Sequence, residues 1–435
     1  MLAHAPLKWA DPEDSDIPGE QSATSDDSEP PWPPYTLLEE SDVWRELRML
    51  ARPHSTPLGP EEKFKADSIN FQPALSSKTQ DRYVVTQLEV NGRLWAFTGV
   101  FDGHLGDVTV EHVSHHLPII VREFLIEEEA ANPGVTPAAD IISACFTKAI
   151  TAFDDAIAHD VLDLFGGSVD KLDDYTDSQI REIINDQHKG GANWQKARLC
   201  MYGTTALVAL VDPENQNLWV ANLGDCEAFL ASPSSKTQSG WTVEALTATH
   251  NGDNPAEIER VRKTHPGEPE CVVDNRVLGA IAPTRCFGDI PFKQPPAFTR
   301  RILYNLFPGF HNTSPWEEFL VRNQTPPYIT AEPQIIHRRL DLPRFLILAS
   351  DGFSALCDGV RQQRVIESWA RSMVSKNPPE TVTDSAPGSR ADNMALRLLR
   401  LALGGDDRFG VSRLLTLDLP NDSWIDDTSI VIRTI

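Results

Sequence analysis

Apolar and polar positions alternate from Tyr83 to Val90 and again from Arg93 to Val100, and Asn91-Gly92 stands between the two runs. That pattern predicts a hairpin with a tight Asn-Gly turn. Helical spacing follows over about 107–127 and 137–158. Three strands are then expected close together, at Thr204–Val211, Asn217–Asn222 and Glu227–Ala231, the last two joined through Leu223-Gly224-Asp225-Cys226. Asn254-Pro255 opens a capped helix with Pro in its first turn. Strands return at Gln334–Arg338 and Arg344–Ala349, helices at about 361–371 and 391–403, and a final strand at Ser429–Ile435. Hairpins without regular strand–helix–strand alternation, together with clustered helices, predict an α+β fold layered on antiparallel sheets.

Composition sets the limits of that domain. Residues 1–45 carry eleven acidic residues against two basic ones, with seven prolines. Such a segment buries little, so residues 1–66 are expected to be a disordered or loosely packed extension, with the globular domain at 67–435. Two polar or Pro-rich stretches inside it, at about 160–198 and 290–328, read as insertions. The longest apolar runs, such as Phe345–Ala349, fall far short of the ~20 residues a bilayer requires, so a soluble protein is expected. The N-terminus carries no evident targeting peptide.

The net charge of −24 argues against a nucleic-acid partner, which needs clustered Lys and Arg. It leaves room for a phosphorylated substrate if metal ions supply the local positive charge. Six scattered cysteines without paired spacing suit free thiols better than disulfides or zinc.

The candidate chemistry lies at strand ends. Phe101-Asp102-Gly103-His104 closes the predicted hairpin, Asp351-Gly352 follows Leu346–Ser350, and Asp426-Asp427 precedes the last strand. Three carboxylates in such turns, with no CxxC or HxxH nearby, point to hard, oxygen-ligated cations such as Mg²⁺ or Mn²⁺. Asp392-Asn393-Met394 is a similar string, but it precedes a helical pattern and reads as a helix cap.

Taken in order, Asp102-Gly103-His104-Leu105-Gly106, Gly203-Thr204-Thr205-Ala206, Val220–Asp225, Val277–Asp289, Leu346–Gly352 and Asp426–Ile432 resemble the metal-dependent protein phosphatase (PPM, type 2C) family. Thr249-His250-Asn251, Asn254–Arg260, His265-Pro266 and Thr325–Pro333 are most similar to its pyruvate dehydrogenase phosphatase branch. The resemblance implies a four-layer α-β-β-α sandwich of two antiparallel sheets flanked by helices. It implies a two-metal centre of Mg²⁺ or Mn²⁺ in which Asp102 bridges both ions, the Gly103 carbonyl binds one, and Asp351 and Asp426 hold the other. Water between the ions would attack phosphorus, and His104 would protonate the leaving serine or threonine oxygen. Asp225 aligns with a ligand of a third, weaker ion, and Asp427 is a lesser candidate beside Asp426. The implied substrate is a phosphorylated protein, with the pyruvate dehydrogenase complex and the mitochondrion suggested by the branch.

Five positions depart from the family pattern. Gln80, in Lys78-Thr79-Gln80-Asp81-Arg82, stands where a glutamate ligand of the second metal is expected. A neutral oxygen there should cost at least the ~10–100-fold in metal affinity that follows loss of outer-shell partners. Ser76 replaces a phosphate-clamping arginine, Ser354-Ala355 replaces Trp-Asp/Glu, and Glu227 ends a Gly-Asp-Ser-Arg motif. These departures motivate an alternative: a weakly active or inactive phosphatase-like regulatory protein.

Overall fold

Two antiparallel sheets lie face to face in the computed structural model, which describes residues 35–59, 63–74, 78–130, 134–237, 240–310, 316–341, 344–359, 361–374, 393–417 and 424–435. In chain order the strands are β1 His54–Leu58, β2 Phe64–Phe71, β3 Arg82–Val90, β4 Arg93–Phe101, β5 Gly103–His104, β6 Gly203–Thr204, β7 Ala206–Val211, β8 Asn217–Leu223, β9 Glu227–Pro233, β10 Trp241–Ala245, β11 Val272–Val273, β12 Arg276–Val277, β13 Phe287–Gly288, β14 Gln334–Arg339, β15 Phe345–Ala349 and β16 Thr428–Thr434. The helices are α1 Glu40–Ala51, α2 Val108–Glu129, α3 Ala139–Leu162, α4 Asp177–Ile184, α5 Ala192–Leu199, α6 Pro255–Thr264, α7 Pro296–Phe298, α8 Trp316–Arg322, α9 Asp351–Leu356, α10 Gln362–Val374, α11 Met394–Ala402 and α12 Arg408–Thr416. One sheet runs β1-β2-β16-β15-β9-β10 and the other β14-β8-β7-β4-β3.

Side-chain alternation divides the core into layers. On β7, Leu207, Ala209 and Val211 face the other sheet and meet Leu230, Leu348 and Val431, while Val208 and Leu210 face α2 and α3. Both faces of that strand are buried, which is why its sequence is a continuous apolar run. Helices α1, α10 and α11 cover the outer face of the six-stranded sheet. This is the expected four-layer arrangement. The β3–β4 turn has positive φ at both Asn91 (49°) and Gly92 (79°), the conformation that matches the twist of a two-residue hairpin. Among the described residues, no helix is long and apolar enough to cross a membrane.

Residues 35–58 overturn the expectation of a loosely packed extension ending at 66. In α1, Val43, Leu47 and Ala51 repeat at helical spacing and are fully buried in the cluster that also holds residues of β2, α11 and α12. β1 pairs with β2 in register His54↔Ser68 to Leu58↔Phe64, extending the sheet. Each fully buried Leu or Val there contributes ~1.5–3 kcal/mol, enough to hold a segment whose overall composition is acidic. Residues 1–34 lie outside the described part.

The two insertions meet each other. Leu162, Phe165, Ile180 and Ile184 pack with Phe298, Ile302, Leu303 and Leu306 in a separate cluster beside the sandwich. Neither stretch alone holds enough apolar residues for a core; joined, they do. Asn393 caps α11 by accepting from Leu396 N at 2.9 Å, as its sequence context suggested, and Asp392 lies outside the described residues. All six cysteines are free and buried.

Candidate metal centre

β4 delivers Asp102 to one end of the sandwich, where the chain turns into β5. The Asp102 backbone is fixed on both sides: its N–H donates to Thr205 Oγ1 (3.1 Å), and its carbonyl accepts from Thr205 N (2.8 Å) and Thr204 Oγ1 (2.9 Å). The Gly-Thr-Thr-Ala motif is therefore the clamp of the Asp102 turn. Gly103 must lack a side chain, since a Cβ would lie 2.7 Å from Val110 and 2.9 Å from the Gln80 carbonyl.

Asp225, in the β8–β9 turn, and Asp351, at the end of β15, meet Asp102. One carboxylate oxygen from each falls within 4.8 Å of the others, the one such convergence among the described residues. Burial raises all three carboxyl groups above their ordinary range, and mutual repulsion raises Asp102 and Asp351 well above it. Asp225 is steadied by Asn251, whose Nδ2 donates to its Oδ2 at 3.1 Å.

Asp426 stands next to this trio rather than within its 4.8 Å convergence, and its charge raises the carboxyl groups of Asp102 and Asp351. Its own carboxyl is pushed up to about 6, by burial first, with Asp427 and Asp225 adding and the Asp427 N–H (2.9 Å) offsetting. Asp427 is engaged elsewhere. Its two oxygens accept from Gln72 Nε2 (2.8 Å) and Gln80 N (2.6 Å), tying the end of β2 to the approach to β3. Gln80 is held beside Gly103 with its Oε1 buried and without a hydrogen-bond partner.

The residue after it, Asp81, was not singled out in the sequence as a site group, although it belongs here. It is fully buried; Oδ2 accepts from Ser350 Oγ at 2.6 Å and Oδ1 has no partner. Burial, then the charges of Asp427 and Asp426, push its carboxyl up to about 8 against the Ser350 bond. Crowded carboxylates and two orphaned buried oxygens make an oxygen-only donor set with excess negative charge. That set fits hard divalent cations.

His104 pairs with a second residue the sequence left without a role. Its Nε2 lies 2.6 Å from Oδ2 of Asp289, which is buried and also accepts from Cys286 Sγ at 3.0 Å. A three-stranded ribbon, β13-β6-β5, creates the contact by placing Gly203 between His104 and Gly288. A Cβ on Gly203 would lie 2.0 Å from Asp289 Oδ2, so only glycine leaves room for the pair. Burial acts to lower the His104 pKa, but the Asp289 charge and hydrogen bond more than offset it and the value is raised.

Two of the family departures touch. Gln362 Nε2 donates to Glu227 Oε2 (3.1 Å) and to Ser354 Oγ (2.7 Å), so Glu227 and Ser354 belong to one polar network beside Asp225. Ser76 lies outside the described residues.

The chain is similar to known proteins in sequence and in fold. The family model described as protein phosphatase 2C matches residues 75–386. The chain is 27% identical over 378 residues to a protein phosphatase 2C homolog of Schizosaccharomyces pombe, covering 83% of this chain and 78% of that protein. It is 28% identical over 416 residues to human mitochondrial pyruvate dehydrogenase (acetyl-transferring) phosphatase 2, covering 83% and 76%. The structure of serine-threonine phosphatase 2C from Toxoplasma gondii shares the fold, with a TM-score of 0.50 at 15% identity over 88% of this chain and 98% of that one.

Proposed function

The chain belongs to the protein phosphatase 2C family, and from that premise we propose that it hydrolyses phosphoserine and phosphothreonine in proteins with Mg²⁺ or Mn²⁺. The observation that carries this reading is the convergence of Asp102, Asp225 and Asp351, with Asp426 and Gln80 beside it and His104 on its edge. The Asp102, Asp351 and Asp426 carboxylates and the Gly103 carbonyl would hold the cations, with Asp225 and the unpartnered Gln80 oxygen as further donors. Such ions supply an activated water and neutralise phosphoryl oxygens. His104 protonates the leaving serine or threonine oxygen. Because a carboxylate accepts, Nε2 donates to Asp289, which leaves Nδ1 to carry the transferable proton.

Similarity to pyruvate dehydrogenase phosphatases supports a subunit of that complex as substrate and the mitochondrion as compartment. One observation favours a second reading, a weakly active protein that binds phosphoproteins: Gln80 brings a neutral oxygen where an anion would offset cation charge. Calorimetric titration of the full-length protein with Mn²⁺ separates the two. The enzyme binds two ions, one weaker because Gln80 supplies no negative charge; one ion or none favours the binding protein. Asp351→Asn should remove the tighter event.

A further inference from the structure

We propose that Asp154 and Lys293 are positioning residues for the His104–Asp289 pair, an inference that rests on His104 being the proton donor. Asp154 comes from α3 and Lys293 from the start of the second insertion, outside the metal-binding turns. Both are nearly out of solvent, with side-chain exposures of 6% and 9%. Lys293 Nζ donates to both Asp154 oxygens, at 2.8 and 2.7 Å, and to the Cys286 carbonyl at 2.7 Å. Asp154 Oδ1 in turn accepts from Gly288 N at 2.8 Å.

The ion pair therefore grips the backbone at 286 and 288, on the three residues leading into Asp289. Asp289 itself sits at φ 49°, a left-handed conformation that aspartate enters more readily than most residues but that is still uncommon, and these hydrogen bonds hold the turn in it. Its N–H donates to the Tyr202 carbonyl (3.0 Å), which completes the frame. A buried charged pair contributes little net stability compared with apolar packing, so its placement here is better explained by geometry. Its consequence is that the Asp289 carboxylate stays 2.6 Å from His104 Nε2, which fixes the orientation of the imidazole ring. The pair also links the insertion cluster to the centre, because α3 and residues 290–310 both contribute to that cluster.

The test uses Lys293→Met, together with Asp154→Leu/Lys293→Met, which leaves no unpaired buried charge. Two readouts are taken on each full-length variant. The first is the proton NMR signal of His104 Nε2–H without metal, expected far downfield in the parent protein and shifted upfield or lost by exchange in both variants. The second is the ratio of kcat/KM for a phosphoserine peptide to that for an aryl phosphate, expected to fall ~10-fold or more, within the ~10²–10⁴ that general acid catalysis supplies. An unchanged His104 signal, an unchanged ratio, or loss of the fold in both variants overturns the proposal. A parent protein inactive on both substrates instead overturns the phosphatase reading, while the NMR readout still decides whether the pair positions His104.

Discussion

The backbone N–H of Gln80 donates to Asp427 Oδ2 at 2.6 Å, so the residue that departs from the family's glutamate is anchored by the acidic pair before the last strand. The backbone thus holds Gln80 against the centre whatever its side chain. Gln80→Glu adds a carboxylate beside Asp81 and Asp102. Without metal the added repulsion lowers the melting temperature. With Mn²⁺ the half-saturating concentration falls by ~10-fold or more, since the anion is a direct ligand. An unchanged Mn²⁺ titration contradicts this account of position 80.

His104→Ala separates proton donation from support of the turn. From phosphoserine the leaving group is the serine alkoxide, which needs the proton, so turnover of that substrate should drop by ~10²–10⁴-fold. Aryl phosphates release a stable aryloxide, so their turnover should fall much less. Equal losses with both substrates and a weakened Mn²⁺ titration would assign His104 to the architecture of the metal turn.

α1 makes a direct test of the N-terminal boundary. Leu47 is fully buried among α11 and α12 residues, and Leu47→Ala should cost ~2–5 kcal/mol in chemical denaturation. A loss under ~0.5 kcal/mol, the range of surface substitutions, would mean that α1 does not pack as described.

Away from the centre, Glu257 is buried, which acts to raise its pKa. Arg285 (2.6 Å), Arg260 (2.9 Å) and Thr284 (2.7 Å) outweigh that and hold the carboxyl at about 2. A depressed carboxyl stabilises the fold above its unfolded pKa of 4.5 and loses that contribution as pH falls through about 2. Relative to Glu257→Gln, the native protein should be more stable by ~2–3 kcal/mol at neutral pH, with the gap closing between about pH 4.5 and pH 2. Urea melts at several pH values measure it; a gap independent of pH counts against the carboxylate's role.

Strands with clean alternation and turns with strong local chemistry were legible in the sequence, as the β3–β4 hairpin and the Asp102 turn show. β2 was not, because Asp67 and Ser68 are buried within it and break the apolar pattern. α1 was hidden by the acidic, Pro-rich composition around its short stripe of Val43, Leu47 and Ala51. In the centre, the Asp102, Asp225 and Asp351 turns could be singled out individually. Their convergence, and the roles of Asp81, Asn251 and Asp289, depend on contacts across up to hundreds of residues that local pattern does not encode. The partner of His104 is 185 positions away, and only the glycine at 203 makes the contact possible. The polar stretch at about 160–198 and the Pro- and aromatic-rich one at about 290–328 looked like separate insertions because each supplies half of a shared core.

Phosphate release from a phosphoserine peptide by the full-length protein, followed with Mn²⁺ and again with excess chelator, tests the central claim most directly. The account predicts release with Mn²⁺ that the chelator stops and that Asp351→Asn abolishes. No release at millimolar Mn²⁺, or release that persists in chelator, would contradict it.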